Sequence, residues 1–159
     1  MDRKTHYIAA ASIIAALYAA LTFMMEPLSF GPLQCRVSEA LAVLPLFTPA
    51  AIPGLFTGCL IANLLGPNGM PDIVAGSLFS LLAAAGTWRF RRHPFAALLF
   101  PVVINAFGVA AMLHLVAKVP FWLTVISVGL GEAVAVYGIG MIIYTALRKA
   151  ALFEGKEQQ

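Results

Sequence analysis

Glu39 and Glu132 are carboxylates set inside otherwise apolar runs of the chain. An ionisable group within an apolar span costs about 2.5–3.5 kcal/mol or more and is kept where it is paired or lines a cavity. A carboxylate in such a place can accept hydrogen bonds from a ligand. Each has a purely structural alternative. Arg36 lies three residues before Glu39, on the same face of a helix, and could neutralise it. Asn105 falls at a similar depth to Glu132 and could simply bond to it across two helices. Further polar candidates are Asn63 and Asp72. Asp72 follows Pro71, where an N-cap is the ordinary role. Trp122, shortly after Lys118 and Pro120, suits an interfacial aromatic belt and equally a stacking face for a planar ligand. His114 reads as an interfacial polar residue.

Polarity is densest from Glu26 to Ala40, where Glu26, Ser29, Gln34, Arg36, Ser38 and Glu39 are gathered in a chain that is 11% charged. Pro27, Gly31 and Pro32 make this stretch stiff and shaped rather than a plain connector. It is read as a lid that grips a ligand.

The elements that must position these groups follow from composition. Hydrophobic residues make up 61% of the chain, against a charged fraction near 25% in ordinary soluble domains, and mean hydropathy is +0.90. This is the composition of an integral membrane protein. Apolar segments run from Tyr7 to Met25, Arg36 to Phe47, Ala51 to Leu65, Asp72 to Trp88, Phe95 to Val116 and Phe121 to Leu147. All are expected to be helical, because hydrocarbon leaves isolated strands unsatisfied. The first is of spanning length and is expected to stay in the bundle rather than be cleaved as a signal. The second and third are short, and only Thr48-Pro49-Ala50 separates them, so a single kinked helix is the competing reading.

Charge decides between the two. With six spans and an inside N-terminus, Arg3, Lys4, Arg89, Arg91, Arg92, Arg148, Lys149 and Lys156 are cytoplasmic, leaving Arg36 and Lys118 outside. Merging two spans inverts everything downstream and breaks the positive-inside rule. The expected architecture is therefore an all-α membrane protein of six transmembrane helices, one domain over residues 1–159, both termini cytoplasmic. Six such helices take about 120 residues and leave no room for a soluble domain.

Several chemistries are absent from the sequence. There is no GxxxxGK[ST] loop, HExxH helix, GxSxG elbow or CxxC pair, so neither nucleotide hydrolysis nor another catalytic set is expected, and any uphill transport must draw on other subunits. Cys35 and Cys59 have no metal-ligand spacing, and no metal or cofactor is expected. The net charge of +3 is topogenic, not a sign of nucleic-acid binding. Ala11, Ala15 and Ala19 form a small-residue row on the first helix, with Ser12, Ala16 and Ala20 beside it; such rows admit a closely approaching helix, from this chain or another. Gly54 and Gly58 read as internal packing. The polar groups cluster towards the outer half, with Asn105 and Glu132 as a floor, which suits capture of an external solute better than a through-channel.

The run SFGPLQCRVSEAL, then IPGLFTGCLIANLLGPNGMPDIVAGSL with Asn63 and Asp72, then GEAVAVY around Glu132, resembles the QueT family of substrate-binding membrane subunits, which belong to the energy-coupling factor transporters. The resemblance implies a six-helix S-component in a bacterial cell membrane. It would bind a queuosine precursor on the outer side and work with a transmembrane coupling subunit and two cytoplasmic ATPases, which consume the ATP. It also implies that Ala11, Ala15 and Ala19 match the AxxxA-type row that meets the coupling subunit, and that the S-component topples in the membrane. The implied ligands are 7-cyano- or 7-aminomethyl-7-deazaguanine, or queuine. A guanine-type edge offers N1–H and 2-amino donors beside the O6 acceptor, so Glu132 or Glu39 would take the donors and Gln34, Asn105 or Arg36 would donate to O6. Phe30 and Trp122 would stack on the base, and a second carboxylate would suit an aminomethyl cation. Competing readings are an S-component for another flat vitamin such as riboflavin or thiamine, a small membrane enzyme acting on a lipid, and an assembly subunit whose acids only fix helix pairing.

Overall fold

An apolar environment offers backbone amides no partner but the backbone itself, and this sequence responds with helices throughout. The computed structural model describes residues 2–29 and 36–157, and every regular element among them is helical. Six helices are laid out in the expected order. Helix α1 is Arg3–Met24, followed by a single turn, Glu26–Ser29. Helix α2 is Val37–Leu46 and α3 is Ala51–Leu65. Helix α4 enters through Met70 and Pro71, passes through a π-helical turn, Asp72–Gly76, and continues as Ser77–Arg89. Helix α5 runs through Pro94–Ala97 and Leu99–Ala117. Helix α6 comprises Phe121–Ala133, a π-helical stretch Val134–Gly140, and Met141–Glu157.

Arg3–Met24, Pro94–Ala117 and Phe121–Ala150 are long and apolar enough to cross a membrane, whereas Val37–Leu46 and Ala51–Leu65 are shorter. The short pair is not one kinked helix. Arg36, at the start of α2, hydrogen-bonds through Nη1 to Asn63 Oδ1, near the end of α3, at 3.1 Å, so the two helices fold back on each other. Helix α2 is wound as a 3-10 helix, rising about 2.0 Å per residue, so its ten residues reach about 20 Å where an α-helix would reach 15. It also starts inside the bundle. Arg36 is 7% exposed and approaches Cys59, which lies about 9 Å before the end of α3 at 1.5 Å per residue.

Cross-helix contacts define an alternating bundle. Tyr7 of α1 bonds to Pro49 O, while Thr22 near the other end of α1 bonds to Ser38, so α1 and α2 are antiparallel. A Cβ on Gly54 would come 2.9 Å from Ala11 O, and one on Gly58 2.8 Å from Ala15 O, so α1 and α3 run parallel in close contact. Thr87 of α4 donates to Ala97 O, and Tyr137 of α6 donates to Phe95 O at 2.7 Å, making α4, α5 and α6 successively antiparallel. Helix α6 closes the bundle on α2, where Val136 is buried with Ala42, Val43 and Leu98, and Gly140 lies where a Cβ would meet Val43 and the Ala40 carbonyl. The alternation puts Arg3 and Lys4, Arg89 to Arg92, and Arg148 and Lys149 at one end of the bundle, and Arg36, Asn63, Asp72 and Lys118 towards the other.

Candidate functional site

Four helices meet around a closed cavity: α2 contributes Arg36 and Glu39, α4 Gly76 and Ser80, α5 Asn105 and Val109, and α6 Val128 and Glu132. Glu39 lies at the start of a short helix and Glu132 deep in a long one, and they reach the same cavity because α2 begins recessed. The space left between these side chains has room for at most about one water molecule. Anything larger enters by parting the helices or turning side chains.

Above the cavity Arg36 is the hub. Its Nη2 lies 2.9 Å from Asp72 Oδ2, Nη1 donates to Asn63 Oδ1, and Nε reaches Ser29 O at 3.4 Å. Asn63 Nδ2 in turn donates to Asp72 O at 2.8 Å, and Asn68 Nδ2 to Asp72 Oδ2 at 3.2 Å. The guanidinium therefore ties α2 to the α3–α4 hairpin by charge-assisted bonds. Gly76 is part of this assembly, because a Cβ there would stand 2.7 Å from Asp72 Oδ1 and 2.8 Å from Asn63 Nδ2. The widened π turn that carries Asp72 and Gly76 is of a kind common at functional sites.

The second group holds the two glutamates. Tyr18 of α1, fully buried, donates its hydroxyl to Glu39 Oε1. Asn105 Nδ2 donates to Glu132 Oε1 at 3.1 Å, and Glu39 also lies beside Asn105. Glu132 is 3% exposed, and its Oε2, like Asp72 Oδ1, has no hydrogen-bond partner among the described residues. A buried acceptor left in this state costs free energy unless a donor reaches it.

Several expectations are revised by this geometry. Arg36 pairs with Asp72, not with Glu39: the recessed start of α2 turns the guanidinium across to α4, and Glu39 finds Tyr18. Asp72 is not an N-cap, because the helix already includes Met70 and Pro71 and the carboxylate is spent on Arg36 and Asn68. Trp122 does not reach the cavity. It is 68% exposed on the outer face of α6, edge-on to Phe121, as an interfacial aromatic would be. The Ala11–Ala15–Ala19 row faces this chain's own α3, with Ala15 and Ala19 buried, while Ser12, Ala16 and Ala20 beside it are exposed. Phe30 and Gln34 lie outside the described residues. Asn63, Asp72 and Arg36 come together in one network, and Glu39, Asn105 and Glu132 in the other. Tyr18, Gly76 and Ser80 were not anticipated. A tyrosine inside an apolar span was a signal for the first, since its buried hydroxyl needs a partner; nothing in the sequence marks Gly76. Among the described residues no group of three His, Cys, Asp or Glu side chains is placed to hold a metal.

Comparison with known proteins adds to this geometry. The family described as QueT transporter matches residues 8–149. The chain is also similar to the queuosine precursor transporter QueT of Lactococcus lactis subsp. cremoris (strain MG1363), at 33% identity over 162 residues, covering 92% of this chain and 94% of the relative. No solved structure gives a significant match.

Proposed function

Because the chain belongs to the QueT transporter family, and so is a membrane transport protein and not an enzyme, we propose that it captures a 7-deazaguanine queuosine precursor as the S-component of an energy-coupling factor importer. The observation that carries this reading is the buried set Glu39, Asn105 and Glu132 beside Arg36 on one cavity, which presents two carboxylate acceptors and amide and guanidinium donors. A guanine-type edge needs that combination: a carboxylate for N1–H and the 2-amino group, and a donor for O6. The name of the Lactococcus relative supports the same ligand class. Glu39 is suited to the donor edge, since Tyr18 holds one of its oxygens.

In this reading the charge-rich end with both termini is cytoplasmic, in keeping with the positive-inside rule, and the Arg36–Asp72 end opens outward in the cell membrane. The chain is expected to work with a transmembrane coupling subunit and two ATPases that use ATP. The coupling face is the exposed Ser12–Ala16–Ala20 row of α1, since the neighbouring alanine row is occupied by α3. Calorimetric titration of the detergent-purified protein with 7-aminomethyl- and 7-cyano-7-deazaguanine, riboflavin and thiamine tests the reading. Saturable binding of a deazaguanine, and of neither vitamin, is expected; binding of a vitamin in its place, or of none of the four, overturns it.

A further inference from the structure

From Trp88 to Phe95 the chain reads Trp-Arg-Phe-Arg-Arg-His-Pro-Phe and joins α4 to α5 at the basic end of the bundle. No Asp or Glu occurs between Asp72 and Glu132. Among the described residues the salt bridge is Arg36–Asp72, so Arg89, Arg91 and Arg92 stand exposed and uncompensated by a carboxylate. Two of these guanidinium groups are held on aromatic rings. Arg91 Cζ lies 3.8 Å from the centre of the Trp88 ring, and its Nη1 donates to Trp88 O at 3.1 Å. Arg89 Cζ lies 5.7 Å from the centre of Phe90. A guanidinium laid on a ring keeps N–H groups at its edge for an oxyanion. Orienting a chain in a membrane requires cations near a helix end, not cations fixed in this way.

Beside the loop lies an open groove of about 380 Å³, lined by Ala96, Leu99, Phe100, Val103 and Ile104 of α5. The spacing of these residues makes one apolar stripe. From Ala96 to Ile104 it runs about 12 Å along the helix, away from the arginines, at 1.5 Å per residue. Phe100 joins groove to loop: its ring stands over Gly86 of α4, where a Cβ would collide with it, and stacks on Phe90 with ring centres 5.0 Å apart. The Arg89 guanidinium is therefore one ring away from the groove. We propose that this α4–α5 corner binds one anionic phospholipid, its phosphate on Arg89 and Arg91 and an acyl chain along the α5 stripe. Such a lipid carries a phosphate at the level of the helix end and a chain that descends beside it, which is the order of the groups here. A soluble anion would use the arginines and leave the stripe bare, and a neutral lipid would cover the stripe and leave the cations uncompensated. The corner shares no lining residue with the cavity between α2, α4, α5 and α6.

Native mass spectrometry of the full chain in detergent, titrated with dioleoyl phosphatidylglycerol or dioleoyl phosphatidylcholine, tests the site. The anionic lipid is expected to bind at least about tenfold more tightly, the scale set by two arginines near a charged headgroup. Arg89→Gln combined with Arg91→Gln is expected to abolish that preference. Arg148→Gln combined with Lys149→Gln, exposed cations at the same end of the bundle, is expected to leave it within about twofold. Ala96→Trp, which fills the groove, is expected to weaken both lipids, and millimolar glycerol phosphate, which has no acyl chain, is expected not to displace phosphatidylglycerol. Equal affinity for the two lipids overturns the proposal, as does an equal loss of preference in both double variants, which would mean diffuse attraction only. Unchanged binding in Ala96→Trp or displacement by glycerol phosphate would leave a site for a soluble anion and overturn it too. So would a preference that survives loss of Arg89 and Arg91 while co-purification with partner subunits is lost, since the patch would then belong to a protein contact.

Discussion

Arg36 donates to groups on three segments, and its loss would be felt in each. Removing a buried cation and leaving its carboxylate costs about 3–5 kcal/mol, while replacing both partners with apolar groups of similar size is often near neutral. Arg36→Met is therefore expected to lower the thermal midpoint of the detergent-solubilised protein sharply, and adding Asp72→Leu to recover much of it. A double variant no more stable than the single one would show that the pair is not the dominant contact of either residue. Ligand binding is expected to fail in both, because Arg36 also faces the cavity. The sequence showed that these groups must be paired or line a cavity, since charges buried in an apolar chain demand partners. It did not show which partner each takes. Arg36 and Glu39 are three residues apart and look paired on an ideal helix, yet a recessed 3-10 start turns one to Asp72 and the other to Tyr18.

At the level of elements, the contact between α1 and α3 sets where Tyr18 stands. A Cβ at Gly58 would come 2.7 Å from Tyr18 Cβ and 2.8 Å from Ala15 O, closer than side chains tolerate. Gly58→Leu is expected to separate the helices, destabilise the protein by about 1–3 kcal/mol in the manner of overpacking, and weaken base binding by drawing the Tyr18 hydroxyl away from Glu39. Thermal unfolding and calorimetry measure the two effects, and unchanged values in both would place the contact elsewhere. Helix number and order were legible from apolar segments and the charges between them. The winding of α2 was not, because a ten-residue, mostly apolar stretch carries no signal that distinguishes a 3-10 helix from an α-helix when the length to be covered is fixed by the neighbours. The π turns at Asp72 and after Ala133 were equally invisible, since they arise where helices must fit around one another.

For the whole molecule, the alternating bundle leaves one face of α1 bare. Ser12, Ala16 and Ala20 are exposed where Ala15 and Ala19 are covered. Ala16→Leu is expected to abolish co-purification with the coupling subunit and ATPases of the proposed importer while leaving base affinity within about twofold, because the residue is exposed and does not line the cavity, so its change disturbs only close helix approach. Retained co-purification would move the coupling face off this row. The same arrangement gathers basic residues at one end and the buried polar groups towards the other.

What the sequence determined by itself were quantities that accumulate along the chain: an apolar composition, six helical segments, the sidedness of charge, and a small set of buried polar residues too costly to be incidental. These need no knowledge of neighbours. The pairing of Arg36 with Asp72, the meeting of Glu39 and Glu132 on one cavity, the covering of the alanine row and the exclusion of Trp122 were decided only by the tertiary structure. The physical reason is that each depends on how far one helix slides and rotates against the next, and that follows from side-chain fit at Gly54, Gly58, Gly76 and Gly140, where the absence of a side chain lets a neighbour approach.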